Sequence, residues 1–180
     1  MKRGGSHSAT NYTCITPNAL RWIGTESGVA PNPTWSTGLS KGGDPDSDRW
    51  CPSESDTTLQ LSDQWFYDEK IGIRSIGALQ DVYHGTVGHN SFLMMDFAIT
   101  PNGLVAPDQL ARYEEFGDWL RGCYDGEGRV GVTEYGRGSE AGLTKPGVRG
   151  ALELRWDSPR IIDRVVLRED QTDGQAVRGW

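Results

Sequence analysis

The chain has 180 residues, which is enough for one ordinary domain with a sizeable core and short of the roughly 250 residues of a complete TIM barrel. A formal net charge of −7, with 24% charged residues, leaves no basic footprint for nucleic acid or anionic membrane. No apolar run approaches the ~20 residues of a membrane span. Glycine, 24 of 180, is about twice its usual share of roughly 7% and points to long, turn-rich loops.

The first 13 residues are polar and rich in Gly and Ser, and read as a frayed start without the apolar core of a signal peptide. Leu20 to Gly24 reads as a short buried strand closed by glycine. Just beyond it stands Glu26, the only acidic residue in the first 43 positions. Four of the seven tryptophans (Trp22, Trp35, Trp50, Trp65) fall in the stretch that begins with this strand. Indole faces stack on the apolar faces of sugar rings, and an apolar wall can raise a carboxyl pKa enough for it to donate a proton. The pattern therefore points to a sugar-cleaving site. The plainer alternative is a core of tryptophans beside a solvated loop acid.

Residues 27–64 are dense in Pro, Gly, Ser and Asp and show little periodicity. They read as a long functional loop, kept from disorder by its aromatics. Between Ile71 and Val87 the apolar residues Ile73, Ile76, Leu79, Val82, Tyr83 and Val87 recur at helical spacing. Ser91 to Ile99 is a near-continuous apolar run, expected as a strand buried on both faces. The turn Thr100–Gly103 leads to a helix predicted from Pro107 to about Arg121, with Leu110, Tyr113, Phe116 and Leu120 on one side and Gly122 as its stop.

Strand, loop, helix, strand, loop, helix is the order of a parallel α/β fold, and Glu26 falls past a strand's C-terminal end, where TIM-barrel enzymes place catalytic groups. Residues 14–125 are thus expected to form this α/β part and 126–150 a linker. From 151 to 180 the pattern changes to two strands, the second Ile161–Leu167, joined by a turn at Asp157-Ser158-Pro159. They read as the opening of an antiparallel β domain.

Cys14, Cys51 and Cys123 are odd in number and widely spaced, with no disulfide framework apparent. His7, His84 and His89 form no metal pattern, so structural or surface roles are expected and neither metal nor cofactor is.

Several elements in order resemble the α-L-fucosidases of glycoside hydrolase family 29, in the branch with plant and many bacterial enzymes. Arg21-Trp22-Ile23-Gly24-Thr25-Glu26 resembles that family's Arg-Trp-Val-Gly-Asn-Glu. Trp50-Cys51-Pro52-Ser53-Glu54-Ser55-Asp56 resembles its Cys-Pro-Ala-Glu-Val-Asp, and Gln64-Trp65-Phe66-Tyr67 its Gly-Trp-Phe-Tyr/Trp-His. Val87 to Asp96 and Pro101 to Leu104 resemble its Val-Gly-Arg-Asn-x-x-Leu-Leu-Leu-Asn and Pro-x-x-x-Gly-Leu elements. Val165 to Asp170 with Gly174 to Val177 resembles the strand pair opening its C-terminal sandwich. His89 in place of Arg and Asp96 in place of Asn depart from the pattern.

The resemblance implies a partial (β/α)8 TIM-type barrel, its last βα units, followed by the first strands of an antiparallel β-sandwich. It implies hydrolysis of terminal α-L-fucosyl bonds with retention, and fucosylated glycans or glycoconjugates as partners. Glu26 matches the general acid/base, Arg21 an arginine near the fucose hydroxyls, Trp65 an aromatic beside the sugar, and Glu54 a residue of the pocket. The attacking Asp of the family has no match here, so the isolated chain is expected to be inactive and prone to associate through exposed barrel edges. Asp96 is expected to be a buried, hydrogen-bonded residue rather than a substitute nucleophile. Relatives are usually extracellular or in glycan-degrading compartments, and no compartment is assigned. The competing reading is a non-catalytic carbohydrate-binding protein or an inactive remnant.

Overall fold

The computed structural model describes residues 19–125, 158–159, 161–169 and 171. The chain divides into two compact units, Met1–Gly117 and Asp118–Trp180.

In the first unit three parallel strands lie side by side in the order β1 (Arg21–Trp22), β2 (Ser53–Thr58) and β3 (Ser91–Asp96). Parallel neighbours need long crossovers. The one between β2 and β3 holds helix α1 (Ile76–Thr86), and residues 23–52 join β1 to β2 without a helix.

β2 lies inside the stretch expected to be loop. Its residues, Ser53-Glu54-Ser55-Asp56-Thr57-Thr58, carry no aliphatic side chain for a periodicity argument to find. Small hydroxyl side chains do the packing instead: Ser53, Ser55 and Thr57 are fully buried. The register pairs Trp22 with Glu54 and Phe92, then Asp56 with Met94 and Thr58 with Asp96. Paired residues in a parallel sheet share a face. One face therefore carries Trp22, Glu54, Asp56, Phe92, Met94 and Asp96, and the other carries Arg21, Ser53, Ser55 and Thr57.

The hydroxyl face packs against α1. Ser75 caps this helix by accepting from the Ala78 amide, and Leu79, Val82 and Thr86 form its buried side at spacings of three and four. A short 3-10 turn, Val87–His89, follows and ends on Asn90 at φ 62°. Asn tolerates this left-handed geometry better than most residues. Here its side-chain amide also donates to Thr34 O and Ser36 Oγ at 3.0 Å each, tying the start of β3 to the β1–β2 connection.

β3 is not buried on both faces as expected. Phe92 is 58% and Met94 46% exposed, because the sheet face opposite α1 is open at these two positions. Helix α2 (Pro107–Tyr124) continues past Gly122, which sits in its last turn instead of stopping it. Its inward side is also offset from the expected one: Gln109 and Phe116 are buried and Leu110 and Tyr113 are exposed. Polar groups take the inward positions because they meet backbone. Gln109 donates to Ala98 O at 3.4 Å and Arg112 to Arg74 O at 2.7 Å. Edge-on ring contacts of Tyr113 with Phe97 and of Phe116 with Tyr83 complete the packing.

In the second unit Arg164 bonds both oxygens of Asp163, donates to the Tyr124 hydroxyl at 2.9 Å and lies 5.2 Å from that ring's centre. Those bonds from Arg164 lower the Asp163 pKa. Ile161 to Leu167, expected as a strand, form no strand among the described residues. A strand needs a paired neighbour, and the expected one at 152–156 lies outside the described residues, as do the frayed start and the linker at 126–150. Cys51, fully buried, is disulfide-bonded, contrary to the reading from spacing, and Cys123 is free.

Candidate functional site

Ile23 continues β1 by donating its amide to Glu54 O at 3.0 Å, and the chain then leaves the sheet through Gly24 at φ 79°. Glu26 stands at the head of the turn that follows, past the C-terminal end of β1. Gly28, at φ 72°, closes that turn and returns its amide to Asp56 O at 2.9 Å. A Cβ at Gly28 would lie 2.9 Å from Val82 Cγ1 and 3.0 Å from Thr57, so the turn is seated directly on β2 and α1. Thr86 anchors it from the helix by donating to Gly28 O.

The Glu26 side chain is exposed, not enclosed in an apolar wall as expected. Its Oε2 accepts a 2.9 Å hydrogen bond from the indole Nε1 of Trp65. Glu26 and Trp65, 39 residues apart, are thus brought together as a pair. A similar pair lies on the sheet itself, less exposed: Trp22 Nε1 donates to Asp56 Oδ1 at 2.7 Å. Glu54, two residues before Asp56 on that face, has its pKa raised by burial first and by the Asp56 charge second. Two carboxylates sharing a face disfavour each other's ionised form.

Arg21 is placed elsewhere. It is fully buried, on the opposite face from Trp22 and Glu54, with its guanidinium donating to the carbonyls of Ser40, Lys41 and Trp35. Burial lowers its pKa. The structure therefore gives Arg21 to the β1–β2 connection, not to the face that bears the carboxylates. Asp96 is half-buried at the end of β3 with its pKa raised by burial, and its Oδ2 is shielded from solvent without a hydrogen-bond partner. The expectation of a hydrogen-bonded Asp96 fails at that oxygen. His89 is structural: its Nδ1 lies 3.0 Å from Ala30 O.

Gln60 is the residue that sequence reasoning missed. It is 1% exposed, follows β2, and makes three side-chain hydrogen bonds into the loop that carries Trp65. A glutamine in a polar stretch carries no periodic signal. Its only hint was its place two residues beyond the strand now seen at 53–58. Among the described residues no cluster of three His, Cys, Asp or Glu side chains could hold a metal ion, and no helix is long and apolar enough to cross a membrane.

No protein-family model matches the chain. Individual relatives do. A putative α-L-fucosidase 1 of rice is 28% identical over 109 residues, 53% of this chain and 21% of the relative, and α-L-fucosidase 1 of Arabidopsis thaliana is 26% identical over 112 residues, 55% and 22%. Among solved structures, a family 29 fucosidase of Ruminococcus gnavus in complex with fucose shares 30% identity at a TM-score of 0.52, covering 57% of this chain and 23% of that one. A putative α-L-fucosidase of Bacteroides thetaiotaomicron shares 28% at 0.53, covering 57% and 27%. These relatives are glycoside hydrolases. Over somewhat more than half of its length, the chain is similar to α-L-fucosidases of glycoside hydrolase family 29. The chain spans about a fifth of the length of the curated relatives it matches.

Proposed function

We infer that this chain supplies the acid/base side of a retaining α-L-fucosidase that hydrolyses terminal α-L-fucosyl bonds of glycans or glycoconjugates. The observation that carries this reading is the Glu26 carboxylate, just past the end of a parallel strand and bonded to the Trp65 indole, in a chain related to fucosidases. The three strands would be the last βα units of an eight-stranded barrel.

Retention needs two carboxyl groups about 5–5.5 Å apart. In the first step a carboxylate attacks the anomeric carbon while Glu26 gives its proton to the departing glycosidic oxygen. In the second, Glu26, now ionised, takes a proton from water as that water's oxygen displaces the enzyme from the sugar, releasing fucose. Because the chain spans only a fifth of its relatives, the attacking group is assigned to the rest of a whole enzyme. Trp65 can hold one oxygen of Glu26 through its N–H, leaving the other oxygen for the proton, while its ring face remains for the sugar. Glu54, with its raised pKa, would meet a sugar hydroxyl as donor or acceptor. Arg21 would act indirectly, by fixing the loop beside β1.

The test is hydrolysis of an aryl α-L-fucoside by the longest protein its gene encodes, with and without Glu26→Gln. The substitution should lower kcat by about 10²–10⁴-fold on a substrate with a poor leaving group. It should cost much less in kcat/KM where the leaving group needs no proton, and added azide, which attacks without a general base, should then be trapped as a fucosyl azide. An unchanged rate on the poor leaving group would remove Glu26 from the role.

A further inference from the structure

Trp65 sits in a loop with little reason of its own to hold one shape. Phe66 beside it is 82% exposed, and Ser62 and Asp63 both have positive φ, at 62° and 51°. Non-glycine residues seldom adopt the left-handed region, so a loop with two in succession needs to be held from outside.

We infer that Gln60 is the residue that positions Trp65 against Glu26: its side-chain amide grips the carbonyls on either side of Trp65 and so presents the indole N–H to the carboxylate. Gln60 Nε2 donates to Gln64 O at 3.1 Å and to Phe66 O at 2.8 Å, the residues flanking Trp65. Gln60 Oε1 accepts from the Asp68 amide at 3.2 Å, so both ends of the planar amide are used. The side chain is itself well fixed. It is buried at the end of β2, where Thr58 Oγ1 donates to Gln60 O at 2.8 Å and Gln60 bridges to Ile73. Arg74 is a second anchor, reaching Asp63 at 3.3 Å while its Nε donates to Thr58 O at 2.8 Å. β2 therefore governs the acid/base from its C-terminal end without touching it.

This deepens the fucosidase reading and rests on it for the catalytic consequence, but the positioning itself is measurable without turnover. In the ¹⁵N-labelled chain the Trp65 indole resonance, identified by its loss in Trp65→Phe, should shift when Glu26→Gln replaces its hydrogen-bond acceptor. Gln60→Leu removes all three bonds. Gln60→Glu keeps the shape and the acceptor for Asp68 but sets a carboxylate oxygen against two carbonyls. Both should abolish the indole's response to Glu26 and speed Trp65 indole N–H exchange about tenfold or more. Arg74→Lys, which disturbs the same loop from its other anchor, should leave the response in place. If Gln60→Leu unfolds the chain, Gln60→Glu decides the matter, since its volume is unchanged. A normal indole response in a folded Gln60 variant overturns the proposal. Loss of the response together with fucosidase turnover that is indifferent to Glu26→Gln upholds the clamp and rejects the enzymatic role. In the active enzyme the Gln60 variants should lower kcat about tenfold with KM nearly unchanged, as expected for a misplaced proton donor.

Discussion

Trp22 and Trp65 each donate an indole N–H to a carboxylate, and the two bonds have different consequences because one lies on the sheet and the other beyond it. The Trp22–Asp56 bond joins neighbouring strands, whereas the Trp65–Glu26 bond joins two loops and leaves the carboxylate exposed. Trp65→Phe keeps a ring for a sugar face and removes only the donor. It should lower kcat by about tenfold while changing KM little, since one hydrogen bond that orients a reacting group is lost; steady-state kinetics on an aryl α-L-fucoside separates the two constants. A matching fall in affinity, with kcat intact, would place Trp65 in sugar binding alone. Glu54 offers a pH test that needs no substrate. Its folded pKa lies above the ordinary 4.5, so its contribution to stability is fully present below pH 4.5 and is lost as pH rises through the raised value. Glu54→Gln, which cannot ionise, should therefore be more stable than the native chain at pH 7, by up to about 1 kcal/mol after solvent screening. The difference should close near pH 4, as read from urea midpoints. Glu26 and Trp65 were legible in the sequence as a lone carboxylate and an aromatic of a recognisable element. Arg21 was misread because the sheet face of a residue depends on which strand it pairs with, and β2 was not visible.

Elements with apolar periodicity were the ones legible in advance. α1 and β3 lie where Leu79, Val82 and the run Ser91–Asp96 put them, and α2 begins at Pro107. β2 is different, since its buried face is made of Ser53, Ser55 and Thr57, and hydroxyls mark strands and loops alike. Their small volume matters, for it lets the turn after Glu26 sit close against the sheet at Gly28. Gly28→Ala would set a methyl group 2.9 Å from Val82 Cγ1 at a φ of 72°. Overpacking of this sort costs about 1–3 kcal/mol, and the left-handed backbone adds to it. Thermal unfolding should show that loss, and fucosidase activity should fall further than stability alone explains, because the shifted turn carries Glu26. Gly88→Ala, with nothing within 4 Å of the added methyl, should do neither. Equal effects from the two substitutions would mean that the seating of this turn is unimportant.

At the scale of the whole molecule, charge and apolar surface act in opposite directions. A formal charge of −7 keeps copies apart, yet Phe92 and Met94 stand 58% and 46% exposed on the open face of β3. That strand pairs only with β2 among the described residues, which leaves backbone groups on its other side available to a second chain. If the proposed whole enzyme covers this face with further barrel strands, the 180-residue chain should associate as its concentration rises, and sedimentation velocity should resolve the larger species. Phe92→Lys with Met94→Lys should return it to a monomer. Screening cannot explain that result: the two lysines take the formal charge from −7 to −5, which weakens repulsion between copies and by itself favours association. In the whole enzyme the same pair of lysines would fall inside the barrel, where unpaired charges cost several kcal/mol each, and should abolish soluble expression. A native chain that stays monomeric at all concentrations would mean this face needs no covering, and the partial-barrel assignment would fail with it.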